Sequence, residues 1–362
     1  MQKIKKAILT GGGRATRLRP VTSTMNKHLI PLANKPMIFH AIAKAVEAGI
    51  EEIFINTNPG ETDLQKHIGD GGHWGIKITF FEQTGGPQGI AHVVNEAKRF
   101  IGDDPFMFYL SDNIILGSIK TMLNNFSENK FDCMLALSKV PDPNRFGVPI
   151  FDVNNNLIDV HEKPKNPPND FAVTGIYLYG PKVFFEAFKK INKSARGEYE
   201  ISDIHSYFLK NNFKVGHKEI TGWWKDTGAP TDLILANKLL LDEMSENEFK
   251  NFGEVENGAQ INGKVKIGVG TTIGVGVKID GPVIIGENCT LQNCNISPNV
   301  TIGSGSRIEG VELANSIILS NCHLVCDLKI KDSIIGGNVQ IKKKNTDGFH
   351  RLIVGEQTII EL

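Results

Sequence analysis

Three glycines in a row, Gly11, Gly12 and Gly13, followed by Arg14, Thr16, Arg17 and Arg19 and then by Lys27, are the residues of this chain best suited to chemistry on an anion. Glycine lets backbone N–H groups come close to a bound group and aim at it, which is how a loop cradles phosphate oxygens. No Asp or Glu precedes Glu47, whereas Lys3, Lys5, Lys6, Lys35 and Lys44 join the arginines and Lys27. With 40 basic and 40 acidic residues the whole chain is neutral, so this one-sided start reads as a local positive field for an anionic ligand. A glycine turn flanked by solvated arginines is the plainer alternative for the loop taken alone. Two familiar phosphate motifs are excluded. No Gly-Lys-Ser/Thr follows at Walker spacing, and in the dinucleotide fingerprint Thr16 takes the last glycine position with no acid about 20 residues further on.

Two acids stand out beyond the loop. Asp112 follows the apolar run that ends at Leu110, and Asp226 lies in Gly222-Trp223-Trp224-Lys225-Asp226-Thr227-Gly228, which reads as a tight turn. Carboxylates converging near phosphates suit Mg²⁺, a hard ion that takes few protein oxygens and leaves positions for substrate phosphates. Either acid alone reads equally as a cap or turn residue. A second glycine-rich loop, Gln83-Thr84-Gly85-Gly86-Pro87-Gln88-Gly89, offers an amide for a base edge at Gln83 and close backbone approach for a flat ring at Gly89, or is an ordinary strand-to-helix turn. Glu162 and Lys163 can meet sugar hydroxyls and a phosphate, or form an exposed ion pair. Cys289, Cys294, Cys322 and Cys326 lack zinc spacing and suit a coil interior as small hydrophobes. His323 and His350 are the candidate bases if the C-terminal part carries an acyltransferase activity.

These residues need a frame, and 362 residues suffice for two domains with a core each. Alternating apolar runs and helical patterns fill residues 1 to about 240. Strands are expected at Lys6–Leu9, Glu52–Asn56, Ile76–Phe81, Phe106–Leu110 and Cys133–Leu137, and helices at Pro36–Ala48, Gln88–Phe100 and Ser118–Asn129. That alternation predicts an α/β domain with a parallel sheet, whose ligands sit beyond the carboxyl ends of the strands. From Val140 to Trp224 the pattern turns more β-rich and reads as an insertion covering one side of a pocket. A helix from Pro230 to about Glu243 and the polar run Ser245–Asn251 close the domain. Then Ile261, Ile267, Ile273, Ile279, Ile285 and Leu291 recur at a spacing of six, slip by one, and resume at Ile296, Ile302 and Ile308 and again at Ile318, Leu324 and Ile330. A six-residue period gives a coil of three faces with an aliphatic side chain stacked inward on each: a parallel β-helix. The expected domains are 1–244 and 252–362. No apolar run reaches the roughly 18 residues of a membrane span, and Ala-Ile-Leu-Thr is too short for a signal-peptide core. Five cysteines without a secretion signal suggest reduced thiols in the cytoplasm.

Together the motifs resemble those of the sugar-1-phosphate nucleotidyltransferases, and most closely the long form of the glucose-1-phosphate thymidylyltransferases, over essentially the whole chain. The glycine signature is Gly12-Gly13-Arg14-Ala15-Thr16-Arg17-Leu18, and the lysine motif is Asn26-Lys27-His28-Leu29-Ile30-Pro31. Ser111-Asp112-Asn113 and Trp224-Lys225-Asp226-Thr227-Gly228 match the metal motifs. Phe146-Gly147-Val148, Glu162-Lys163-Pro164 and Val173-Thr174-Gly175-Ile176-Tyr177 match the sugar side, and Arg196-Gly197-Glu198-Tyr199-Glu200-Ile201-Ser202-Asp203 resembles the family's R-G-E-x-E-I-T-D segment.

The resemblance implies a Rossmann-like nucleotidyltransferase domain with a mostly parallel mixed sheet, followed by a left-handed β-helix. It implies that Arg17, Lys27 and Lys163 act in catalysis, that Gly12, Gly13, Thr16, Gln83, Pro87, Gly89 and Asp112 bind the nucleotide, and that Asp112 and Asp226 hold Mg²⁺. Gly147, Glu162, Lys163, Val173 and Trp224 then line the sugar phosphate. The implied partners are dTTP or UTP, a sugar 1-phosphate and further copies of the chain, with no nucleic acid and no membrane. A uridylyl- or guanylyltransferase acting on glucose or mannose phosphate and a non-catalytic regulatory homologue are the alternatives. Three positions depart from the family pattern: Ala15 and Ser111 stand where glycine is usual, and the Gln83 loop is one residue longer.

Overall fold

The computed structural model describes residues 3–13, 15–220, 222–342 and 357–361; Arg14 and His350 lie outside them. The chain divides into two compact units, Met1–Gly13 with Ile38–Asp226, and Arg14–Met37 with Thr227–Leu362.

The first unit is built on a nine-stranded mixed sheet. Its main path runs Leu157–Glu162, Gly147–Phe151, Phe171–Tyr179, Phe106–Tyr109, Lys6–Thr10, Glu52–Thr57, Lys77–Glu82. The last four strands are parallel, as the alternation of strands and helices predicts. The β-rich stretch after Val140 is not an insertion. Its strands continue the same sheet, with Phe171–Tyr179 antiparallel to Phe106–Tyr109 on one side and to Cys133–Lys139 on the other. Residues Ala172 to Tyr179 are all buried, which is the pattern of a central strand covered on both faces. Phe108 stacks on Tyr177 with centroids 5.9 Å apart, and Phe106 on Phe185 at 5.8 Å.

Helix Met37–Glu47 buries the stripe Ile38, Ala41, Ile42 and Ala45, spaced so that one face meets the core. The helix expected over Gln88–Phe100 is two, Ile90–Glu96 and Lys98–Ile101, joined at Ala97. Trp224–Asp226 is a strand rather than a turn, antiparallel to Asn113–Ile115.

In the second unit three parallel sheets rise through the coils of the β-helix, one on each face. Ile267, Ile285, Ile302, Ile318 and Ile335 stand in register up one face, and Ile273, Leu291, Ile308, Leu324 and Ile341 up another. The slips in the six-residue period fall at corners held by left-handed residues, among them Asn293, Gly310, Asn315 and Asp332, where the turn closes with one residue fewer. The glycines that follow the stacked isoleucines serve a different purpose. A Cβ on Gly286 would lie 2.5 Å from the Ser304 nitrogen, so glycine lets successive coils approach. The four cysteines are buried in this unit, where desolvation raises each thiol above its ordinary value.

Helix Pro230–Glu243 opens on proline, and the Asp232 carboxylate accepts from the Ala229 N–H at 3.0 Å to close its first turn. Hairpin Pro31–Leu32/Lys35–Pro36 belongs to the same unit.

Candidate active site

Strand Lys6–Thr10 delivers the chain into the glycine loop, and two asparagines from the end of the neighbouring strand hold that loop. Asn56 accepts from the Gly11 N–H at 3.1 Å, and Asn58 accepts from the Gly13 N–H at 3.0 Å. A Cβ on Gly11 would fall 2.6 Å from the Asn56 carbonyl, and one on Gly12 2.7 Å from the Asn56 side-chain nitrogen. The loop is glycine because it lies against its own support. Asn56 and Asn58 were missed in the sequence; their only signal is a polar pair where an apolar strand ends. On the other side, Ser111 is fully buried, its hydroxyl donates to the Thr10 carbonyl, and its N–H reaches the Thr10 hydroxyl at 3.0 Å. The serine found in place of the usual glycine thus ties the segment carrying Asp112 to the strand that feeds the loop.

Asp112 and Asp226 are brought together. Asp226 sits opposite Asn113 in the short antiparallel pair, one residue from Asp112. Asn113 is the hub, 2 % exposed. Its Oδ1 accepts from the Gly175 N–H at 3.1 Å and from the Trp224 indole N–H at 2.7 Å, while its Nδ2 donates to Asp112 Oδ1 at 2.9 Å. The buried Tyr109 hydroxyl donates to its carbonyl at 2.9 Å. Gly175 comes within reach where the register of Phe171–Tyr179 shifts between Val173 and Tyr177, and a Cβ there would lie 2.7 Å from Asn113 Oδ1. Trp224, expected on the sugar phosphate, is buried beneath this arrangement. Its single donor is committed to Asn113 and its ring packs edge-on to Phe146 at 5.1 Å. Two carboxylates, with no cluster of three or more acidic, His or Cys ligands among the described residues, form a donor set that fits an oxygen-loving ion that keeps positions for water and phosphate.

The other sugar-side candidates also converge. Gly147 is the sheet partner of both Glu162 and Val173, and a Cβ on it would meet the Glu162 carboxylate at 3.5 Å. Lys163 is half-exposed, left-handed at φ 46°, with its N–H on the Phe146 carbonyl at 2.9 Å and its ammonium 3.2 Å from Glu162. Arg196 grips Glu200 through two bonds, of 3.1 and 2.7 Å, and this hydrogen bonding, with the fields of Glu200, Glu198 and Glu162 added, raises the guanidinium above its ordinary value.

In the second glycine loop Gln83 is half-buried and Pro87 exposed. Thr84 is held by Glu96, whose carboxylate accepts from its N–H at 3.0 Å and from its hydroxyl. Gly89 has φ +91°, and a Cβ there would lie 2.5 Å from the Tyr199 carbonyl. Its close approach is therefore to protein backbone.

The second unit carries the candidate cations. Arg17 is exposed on the turn Thr16–Leu18, and Ala15 before it is left-handed at φ 43°, the conformation a glycine adopts without strain. Lys27 opens the turn Lys27–Leu29, capped by Asn26, which accepts from the His28 N–H at 2.8 Å. The positive stretch is sorted by the fold. Lys5 pairs with Glu51, Lys6 with Asp104 and Lys44 with Glu47, whereas Arg17, Arg19 and Lys35 are exposed with no ion-pair partner among the described residues. His323 lies half-buried on a β-helix face, between Arg307 and Gln340 of the adjoining coils.

Residues 6–243 match the family model described as nucleotidyl transferase. This chain belongs to that family. A low-salt glycan biosynthesis nucleotidyltransferase of Haloferax volcanii, Agl11, is 35 % identical over 99 % of this chain and 100 % of its own. A glucose-1-phosphate thymidylyltransferase of Streptomyces antibioticus is 33 % identical over 99 % of each. Among solved structures, a Bacillus anthracis chain described as a glucose-1-phosphate thymidylyltransferase, in complex with sucrose, superposes with TM-score 0.62 at 37 % identity, covering 66 % of this chain and 96 % of that one. At the level these relatives share, the chain is a sugar-1-phosphate nucleotidyltransferase. Among the described residues no helix is long and apolar enough to cross a membrane.

Proposed function

We propose that this nucleotidyltransferase moves dTMP from dTTP to glucose 1-phosphate, giving dTDP-glucose and pyrophosphate, in a catalytic domain spanning 1–244 with a β-helix at 252–362 that assembles copies of the chain in the cytoplasm. The observation that carries the chemistry is the register that sets Asp226 beside Asp112, both ordered by Asn113. The thymidylyl and glucose assignments draw on the Streptomyces antibioticus relative. The sugar phosphate is already ionised at neutral pH, with a second pKa of about 6. Its oxygen attacks the α-phosphorus in line, a P–O bond forms, the bond to the β-phosphate breaks, and pyrophosphate leaves.

No protein nucleophile is required, so alignment and charge neutralisation carry the rate. Gly12, Gly13, Thr16 and Arg17 hold the triphosphate, and Lys27 offsets the charge that builds on the α-phosphate. Gln83, Pro87 and Gly89 meet the base. Gly147, Glu162 and Val173 orient the sugar, with Lys163 on its phosphate. Asp112 and Asp226 hold Mg²⁺, which when bound neutralises phosphate oxygens.

Lys27→Ala is expected to lower kcat by two to three decades, about 2.7–4 kcal/mol, with an unchanged melting temperature. Near-normal turnover, or a chain that no longer folds, refutes the role. A panel of four triphosphates against several sugar 1-phosphates, scored by pyrophosphate release, tests the substrate. The Thr84–Glu96 brace shapes the longer loop without choosing a base, so UTP as donor is the second reading. Faster release from UTP than from dTTP selects it.

A further inference from the structure

The segment that carries Arg17 and Lys27 belongs to one compact unit with the chain from Thr227 onward, and its far end is clamped there. After the Lys27–Leu29 turn the chain makes the hairpin Pro31–Leu32/Lys35–Pro36, turning through Ala33 and Asn34, both left-handed at φ 48° and 57°. At that turn the Ala33 N–H donates to Asn237 Oδ1 at 2.8 Å, and Asn34 Nδ2 donates to the Ile302 carbonyl at 2.8 Å. Asn237 lies on helix Pro230–Glu243 and is 1 % exposed; its Oδ1 also meets the Thr301 hydroxyl at 3.5 Å. Thr301 points away from the interior of the coil, yet it is fully buried, as is Ile317 above it on the same face, while Ile284 below is 4 % exposed. That face of the β-helix is therefore covered, and its third strand carries the anchor.

A short run of bonds leads from the anchor back to the lysine. The Met37 N–H closes on the Ile30 carbonyl at 3.0 Å, and the Ile30 N–H on the Lys27 carbonyl at 3.1 Å. Leu29, Ile30 and Leu32 are buried, so the arm between Lys27 and the hairpin has no loose joint.

We propose that Asn34 and Asn237 are positioning residues for Lys27, and that the β-helix takes part in turnover by clamping the lysine arm through Asn34–Ile302 and Ala33–Asn237. This rests on the role given to Lys27 above. Displacing a charged group by about 1 Å from a distance can cost up to a hundredfold in rate. Asn34→Gly keeps a residue at ease in the left-handed turn and removes only the side chain that reaches Ile302.

Expected for Asn34→Gly is a roughly tenfold lower kcat, a triphosphate KM within about twofold of the parent, and a melting temperature within about 4 °C. Asn237→Leu, which removes the acceptor for Ala33, is to lower kcat in the same way and serves if the first variant does not fold. The decisive comparison adds Asn34→Gly to Lys27→Ala. A clamp that acts through the lysine has nothing left to position, so the double variant turns over as fast as Lys27→Ala alone. A further tenfold loss in the double variant means a merely structural effect and overturns the proposal. If Lys27→Ala is crippled while Asn34→Gly and Asn237→Leu turn over normally, the clamp alone is wrong. If Lys27→Ala is itself near normal, the role of Lys27 falls and the clamp with it.

Discussion

At the scale of single residues, Asn113 does most to define the carboxylate pair. It stands beside Asp112 in the sequence, but its weight comes from two partners brought to its amide from elsewhere in the chain, Gly175 and Trp224, while the nearby Tyr109 hydroxyl holds its backbone carbonyl. Asn113→Leu keeps the branched shape and strands two buried donors. Leaving a buried donor unpaired costs about 1–3 kcal/mol, so urea unfolding is expected to show a loss of about 3 kcal/mol together with reduced turnover. His205 is a second case with a different readout. It is 1 % exposed, its Nε2 lies 2.9 Å from the Tyr179 hydroxyl, and burial pushes its pKa down to about 3 from the ordinary 6.5. Below pH 6.5 the unfolded chain takes up a proton that the folded chain refuses. Stability from this site is therefore complete above pH 6.5 and falls as the pH drops toward 3, by up to about 1.4 kcal/mol per unit. Between pH 6.5 and 5 the parent is expected to lose up to about 2 kcal/mol more than His205→Gln, measured by urea midpoints at the two pH values. His205 carried no signal in the sequence beyond its type, and Asn113 stood in the Ser111-Asp112-Asn113 motif with no sign of the partners it gathers. The glycines, the cations and the two aspartates did carry a signal, because motif spacing is local.

At the scale of elements, period and burial explain what the sequence showed and what it hid. The six-residue repeat was visible because each inward isoleucine or leucine answers to neighbours at a constant offset. The glycines beside those residues do not form turns: Gly286 is a contact point between coils, with the Ser304 backbone where a side chain would go. Gly286→Val is expected to destabilise the β-helix by several kcal/mol, whereas Gly337→Ala, whose Cβ would meet the Ser320 carbonyl at an ordinary 3.4 Å, shifts the melting temperature little. Equal shifts for the two in a thermal melt would show that the coils do not need the close approach. In the first unit the parallel strands were legible with their direction, but the direction of Phe171–Tyr179 was not. Phe171–Tyr179 is apolar throughout because it is central, and nothing in that composition tells parallel from antiparallel.

At the scale of the whole molecule, the neutral total charge hides a sorted one. Lys5, Lys6 and Lys44 are neutralised by acids of the first unit, while Arg17, Arg19 and Lys35 face solvent in the second. An anionic substrate then meets exposed positive charge that salt can screen, with a Debye length of about 10 Å at 0.1 M and about 3 Å at 1 M. Raising the salt over that range is expected to increase the triphosphate KM roughly three- to tenfold, and Arg17→Gln is expected to flatten the dependence. A flat profile in the parent would mean that the field plays no part in capture. The sequence by itself determined the β-helix, the strand that enters the glycine loop and the presence of two candidate metal acids, since each depends on residues within a few positions of one another. Only the tertiary structure decided which side chains hold them. Asn56 under Gly11, Asn113 under Gly175 and Asn237 under Ala33 are contacts between distant parts of the chain, and a lone asparagine leaves no periodic trace by which a sequence could announce its partner.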